Sequence, residues 1–215
     1  LKTQQRAAVF VEIAIAQLYM GDLPGALQSI RNAATGSARQ RLLMQLATWS
    51  IDEGEIYLAQ ALIEQMDSPA AEYRLAIRLI SRVIHSGDDR KAAALINEYS
   101  PRPAAIEDSS LRALILSQFA RLHLRLRQPD RADQLFKEAL AASDQMTGRE
   151  AAVTRGMIAL DQARGLWIAK AKATMDEVME RIVSEPISSE IAATERVIKN
   201  QLPRAVRDQL QTNSD

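Results

Sequence analysis

Residues 13–33 read IAIAQLYMGDLPGALQSIRNA, and the phrase returns three times along the chain. Residues 46–66 read LATWSIDEGEIYLAQALIEQM, residues 79–99 read LISRVIHSGDDRKAAALINEY, and residues 119–139 read FARLHLRLRQPDRADQLFKEA. In each, an apolar stretch with helical spacing runs into a turn at Gly21, Gly54, Gly87 or Arg127. An alanine stands five residues past the turn (Ala26, Ala59, Ala92, Ala132), and a large apolar residue four further on (Ile30, Ile63, Ile96, Phe136). The three glycines are spaced by 33 residues and Arg127 follows Gly87 by 40. A period of this size with two helices per unit is the mark of a helical repeat array, in which stacked units share one continuous core.

Working outward from that phrase gives four helix pairs, at about 3–36, 39–68, 69–103 and 109–143. Asp22 after Gly21 is expected to cap a helix N-terminus. Ser68-Pro69 and Gln128-Pro129 are helix starts, because proline at the first helical position loses no hydrogen bond that the helix needs. Pro101 and Pro103 stop the third pair, and the loop around 100–108 absorbs much of its extra length. Thr147 and Glu150 have capping-box spacing, so residues 144–215 read as a divergent helical hairpin to about residue 184. A break at Glu185-Pro186 and a capping helix at about 189–210 complete the chain.

Small residues define the packing. Ala14 and Ala26 fall on facing helices of one pair, as do Ala47 with Ala59 and Ala120 with Ala132. Their size lets the helix axes approach, while Ile13, Ile30, Leu46, Ile63, Phe119 and Phe136 are expected to fill the seam with the neighbouring pair.

The composition agrees with such a fold: 47% of the 215 residues are hydrophobic and 4% aromatic. Lys plus Arg and Asp plus Glu are 27 each, and the absence of a basic excess argues against a nucleic-acid partner. With no cysteine, disulfides, thiolate metal sites and a cysteine nucleophile are excluded, and the compartment stays undecided between cytoplasm and an extracytoplasmic space such as the periplasm. No apolar run of about 18 residues is present, so no membrane span is expected. Residue 1 is Leu, which points to a processed or excised piece of a longer chain, with an upstream anchor or domain still open.

This pattern resembles the tetratricopeptide repeat family. Phe10, Ile13-Ala14, Leu18, Gly21-Asp22, Ala26, Ile30 and Ala33 stand in the family's register, and Phe119-Ala120, Ala132, Phe136 and Ala139 match nearly as well. The likeness covers about residues 3–143. It departs in lacking an early tryptophan, and in carrying Gln17, Ser50, Val83 and His123 where a large aromatic is common. A generic helical-hairpin solenoid is the alternative. The resemblance implies an all-α, right-handed α-α superhelix of antiparallel helix pairs with C-terminal capping helices. It also implies a concave groove lined by the first helix of each pair.

Carried over residue by residue, the first unit contributes Ala8, Val11, Glu12, Ile15 and Tyr19 to that groove. The second contributes Arg41, Met44, Gln45, Thr48 and Asp52. Arg74, Ile77, Arg78, Ser81 and His85 follow from the third, then Leu114, Ser117, Gln118, Arg121 and Arg125 from the fourth. Arg74 with Arg78, and Arg121 with Arg125, are four apart and share helix faces. Guanidinium groups take carboxylates through parallel hydrogen bonds, so these residues point to an acidic peptide or a C-terminal segment. The alternative is a solvated face with local pairing to Glu72 or Asp108.

Nothing in the sequence assembles a catalytic site. His85 and His123 lack metal-ligand spacing, and the carboxylates at Asp52-Glu53-Glu55 and Asp88-Asp89 read as helix N-terminal charges. No phosphate loop or nucleophile elbow occurs, so no catalytic residue, cofactor or metal is expected. Trp49 and Trp167 stand isolated in sequence; Met146, Met157, Met175 and Met179 read as packing filler. The expected role is a non-enzymatic protein-protein interaction scaffold or adaptor. A self-assembling structural module, or an accessory or regulatory domain of a larger protein, is the alternative.

Overall fold

In the computed structural model of the chain, residues 3–33, 37–100 and 106–184 are described. Among them are ten α-helices and no strand: α1 Thr3–Tyr19, α2 Leu23–Ala33, α3 Ser37–Glu53, α4 Ile56–Ile63, α5 Pro69–His85, α6 Asp89–Glu98, α7 Ser109–Arg125, α8 Pro129–Ser143, α9 Gly148–Arg164 and α10 Ile168–Ser184. The expected break at 35–36, the prolines Pro101 and Pro103, the interruption at Glu185-Pro186 and the capping helix at 189–210 lie outside the described residues. The chain forms two compact units, Leu1–Ser86 and Gly87–Asp215.

Within each unit, consecutive helices fold back on one another. In unit 1, Ser29 donates to Gln17 across α1 and α2, and Gln40 at the start of α3 bonds Asp67 just past α4. In unit 2, Gln145 beyond α8 receives Ser109 at the start of α7, and Thr174 on α10 donates to Gln162 on α9. Each bond joins positions on opposite sides of a turn, Ser109 and Gln145 each 18 residues from Arg127, which is the register of an antiparallel hairpin. This is the packing of a helical-repeat solenoid.

Four of the five hairpin turns share one construction. The Gly21 N–H donates to the Leu18 carbonyl at 3.0 Å and the Asp22 N–H to the Gln17 carbonyl at 2.9 Å. Gly54 and Glu55 repeat the two bonds to Ile51 and Ser50, and Arg127 and Gln128 repeat them to Leu124 and His123. The doubly bonded closure needs a left-handed residue, which glycine supplies without a Cβ penalty. Gly21 and Gly54 have φ of 77° and 82°, whereas Arg127 adopts 58° without that freedom.

The divergent hairpin expected after residue 144 carries a further copy of the turn. Leu166 has φ 65°, its N–H donates to Ala163, and the Trp167 N–H donates to Gln162, both at 2.9 Å. Counting from Leu166 as the turn residue places Ala171 five later and Met175 nine later, both buried, with Ala159 seven earlier where Ala14, Ala47 and Ala120 stand. Gly165, one residue before the turn, misdirects a reading that seeks the glycine. The α9–α10 pair is therefore another unit with the same closure.

The alanines expected at the hairpin interfaces (Ala14, Ala26, Ala47, Ala59, Ala120, Ala132) are fully buried, and Ile30, Leu46, Ile63, Phe119 and Phe136 pack beside them. Ile13 departs from expectation: it is 41% exposed and Val9 is 50% exposed. The corresponding pairs Leu42 and Leu46, Leu75 and Leu79, Ile115 and Phe119, and Thr154 and Ile158 are all buried. No described helix precedes α1 to cover its stripe.

Capping follows the sequence in part. Asp22 Oδ1 accepts from the Gly25 N–H, Asp88 from Lys91 and Asp108 from Leu111, each at 2.9 Å. The capping box at Thr147 does not form, because the Thr147 side chain makes no cap bond to α9. Glu55, the N-cap of α4, makes none either. The tryptophans are not isolated. Trp49 meets Tyr19 edge-on at 5.5 Å, and Trp167 packs on Phe136 at 5.8 Å with Lys170 Nζ 4.3 Å from its ring centre.

Candidate functional site

On α3, residues 41, 45, 48 and 52 recur at the spacing of one helix face, with Met44 and Trp49 beside them. On α5, Arg74, Leu75 and Arg78 do the same. Both helices belong to unit 1, and they enclose a cleft of about 550 Å³ lined by Arg41, Met44, Gln45, Thr48, Trp49, Asp52, Arg74, Leu75 and Arg78. Met44, Trp49 and the buried Leu75 give it an apolar floor, and the three arginines stand exposed at its margin.

The charges in the cleft are unevenly satisfied. Arg78 Nη2 lies 2.8 Å from both Oδ1 and Oδ2 of Asp52. The two side chains are 50% and 55% exposed, so water screens this pair. Arg82 Nη2 reaches the Asp52 backbone carbonyl at 3.5 Å. The expected local partners Glu72 and Asp108 do not pair with Arg78; Asp52, across the cleft, does. Arg41 and Arg74 make no ion pair among the described residues.

Seven sequence-predicted groove residues thus meet in one cleft: Arg41, Met44, Gln45, Thr48, Asp52, Arg74 and Arg78. Ile77 does not join them. It is buried on the core side of α5. Tyr19 is exposed and reaches the site through its contact with Trp49. Glu12 is exposed on α1, and the side chains of Ala8 and Val11 lie outside the described ones. His85, at the end of α5, is exposed, and its Nδ1 donates to the Ser81 carbonyl. Trp49 and Leu75 were missed, although Trp49 stands four residues past Gln45, the spacing that marks the face.

In unit 2 the predicted residues meet different surroundings. Arg125 is exposed and Gln118 half-buried. Arg121 turns to α9, its Nε 3.4 Å from Asp161 Oδ1, with side chains only 18% and 7% exposed. The buried Ser117 hydroxyl donates to Asp161 Oδ2 at 2.8 Å. Burial pushes the Asp161 carboxyl above the ordinary carboxylate range, while the Arg121 charge and the Ser117 hydrogen bond pull it back. Burial likewise lowers Arg121, against the attraction of Asp161. A second buried cation, Arg155 on α9, bonds Asp144 past α8 and Glu177 on α10. His123 is buried at the α7–α8 turn, its Nδ1 bonded to Gln128 Oε1 at 2.7 Å, and burial lowers its pKa.

Among the described residues no three His, Asp or Glu side chains gather to hold a metal ion, and no helix is long and apolar enough to cross a membrane. Compared with known proteins, the chain matches no protein-family model, no curated protein and no solved structure.

Proposed function

We propose that the chain is a non-enzymatic scaffold of the tetratricopeptide type, and that it recruits a partner peptide or helix through the α3–α5 cleft. The observation that supports this reading is the meeting of Arg41 and Arg74, exposed and without an ion-pair partner among the described residues, with an apolar floor of Met44, Trp49 and Leu75. An apolar floor supplies affinity, and cations at the rim set orientation and partner choice. The electrostatics favour an acidic partner. The repeat resemblance adds that first helices of successive pairs are the usual partner-facing elements.

The test compares the parent chain with an Arg41→Glu, Arg74→Glu variant as bait, identifies retained proteins by mass spectrometry, and titrates each candidate in purified form. A partner that binds the parent and loses at least tenfold in affinity with the variant, at unchanged helical content, supports the scaffold reading. Equal retention of every protein by both baits refutes the cleft.

A second reading, self-association, is favoured by the α1 stripe. Val9 and Ile13 are exposed there while the corresponding residues of α3, α5, α7 and α9 are buried. A second copy of the chain would extend the same seam. Sedimentation velocity over a hundredfold concentration range, with Ile13→Lys beside the parent, tests it. A parent that stays monomeric throughout removes this reading.

A further inference from the structure

We propose that Asp52 is a built-in competitor in the cleft. In the empty chain it takes the Arg78 guanidinium that an acidic side chain of the partner engages on binding. The inference rests on the cleft reading above, and it names both a specificity residue and the ligand chemistry: an internal segment in which carboxylate side chains alternate with aliphatic ones.

The geometry of the Asp52–Arg78 pair carries the argument. Both Asp52 oxygens lie on one nitrogen, Nη2, at 2.8 Å. This is not the two-nitrogen fork by which arginine holds a carboxylate most firmly. Nη1 and Nε of Arg78 have no acceptor among the described residues, so an incoming carboxylate can first engage these donors and then displace Asp52 from Nη2. Because each side chain is about half exposed, the pair holds weakly and exchanges readily.

Asp52 has no evident alternative task. It lies at the end of α3, where a carboxylate disfavours the helix dipole. It does not cap α4, whose N-cap is Glu55. The helix end it sits on has a separate contact, from Arg82 Nη2 to the Asp52 backbone carbonyl at 3.5 Å. Removing the carboxylate therefore leaves the backbone anchor intact and changes the charge of the cleft. Three lining arginines face one lining carboxylate, and that carboxylate pairs with Arg78.

The ligand class follows from what is left. Arg41 and Arg74 face an incoming carboxylate directly, and Arg78 accepts one after displacing Asp52. Met44, Trp49 and Leu75 receive aliphatic side chains between them. A chain terminus is not required, since Asp52 itself shows that a side-chain carboxylate fits Arg78.

Fluorescence anisotropy with two labelled, C-terminally amidated peptides tests the proposal: a repeat of Glu-Leu-Glu-Ala, and its Gln-Leu-Gln-Ala counterpart. The parent is expected to prefer the Glu peptide. Asp52→Asn should tighten that binding by roughly threefold to tenfold in low salt, with the gain fading as salt screens it. Arg78→Gln should abolish the gain when combined with Asp52→Asn. A folded Asp52→Asn chain that binds the Glu peptide as the parent does, or more weakly, overturns the competitor role and leaves the cleft reading standing. No preference for Glu over Gln in any variant, together with no effect of Arg41→Glu, Arg74→Glu, overturns both.

Discussion

Unit 1 and unit 2 repeat one hairpin with one turn, and their arginines meet opposite fates. On α5, Arg74 has no ion-pair partner among the described residues and Arg78 holds only a screened contact. On α7, Arg121 is drawn inward to Asp161, and Arg155 on α9 is 3% exposed between Asp144 and Glu177. The difference lies in the carboxylate each arginine meets. Asp161, across from Arg121, has a side chain only 7% exposed, whereas Asp52, across from Arg78, is 55% exposed. The fate of each arginine is thus set by what the adjoining helix presents.

The sharpest way to break this comparison is to delete the carboxylate in each unit. Asp161→Ala should cost about 2–4 kcal/mol in urea denaturation at neutral pH, because it strands a largely buried guanidinium. Asp52→Ala should shift stability by no more than ~0.5 kcal/mol, since both members of its pair are exposed. Equal losses would show that the two arginine environments are not distinct.

Next comes the feature the units share. Ala26→Leu in unit 1 and Ala132→Leu in unit 2 should each destabilise by about 1–3 kcal/mol, because both alanines are fully buried between paired helices. If either variant melts like the parent, the packing register assigned to that unit is wrong.

A smaller effect belongs to unit 2 alone. His123 has its pKa lowered by burial, so the unfolded chain takes up a proton that the folded chain refuses. Its contribution to stability is present above the ordinary imidazole pKa of 6.5 and is lost as pH falls through the lower folded value. The corresponding residues of unit 1, Gln17, Ser50 and Val83, do not titrate. Replacing His123 with Gln should flatten the stability profile as pH falls below 6.5; an unchanged slope would assign the titration elsewhere.

The smallest test concerns the turns. Leu166→Gly should stabilise by about 0.5–1 kcal/mol, as it removes a left-handed, exposed leucine at little packing cost. Gly54→Ala should destabilise by about 1 kcal/mol for the converse reason. Thermal melts of the pair decide whether glycine and non-glycine turns are equivalent.

Most of the helices were legible because two signals coincide in them: helical spacing of apolar residues, and a turn residue with alanines at fixed distances. The unit-1 cleft was legible for the same reason, since residues on one face of α3 or α5 can be counted off in threes and fours. What escaped the sequence depends on which helix comes next. Spacing assigned Arg121 to a groove, but it could not show Asp161 arriving 40 residues later to claim it. It put Ile77 beside Arg78, whereas the helix rotation turns Ile77 into the core. It placed one helix to about residue 164 and another to about 184, but not the turn residue between them, Leu166, which adopts the conformation that Gly21 and Gly54 adopt elsewhere.

That last substitution has a consequence for how such a chain can vary. Four of the hairpins are closed by two hydrogen bonds that reach back no more than five residues. The instructions for reversing direction are therefore carried wholly inside each unit, and a neighbour contributes nothing to them. A copied, deleted or exchanged unit keeps its own fold-back whatever flanks it. The length of the array and the identity of the surface it presents can then change independently, one hairpin at a time.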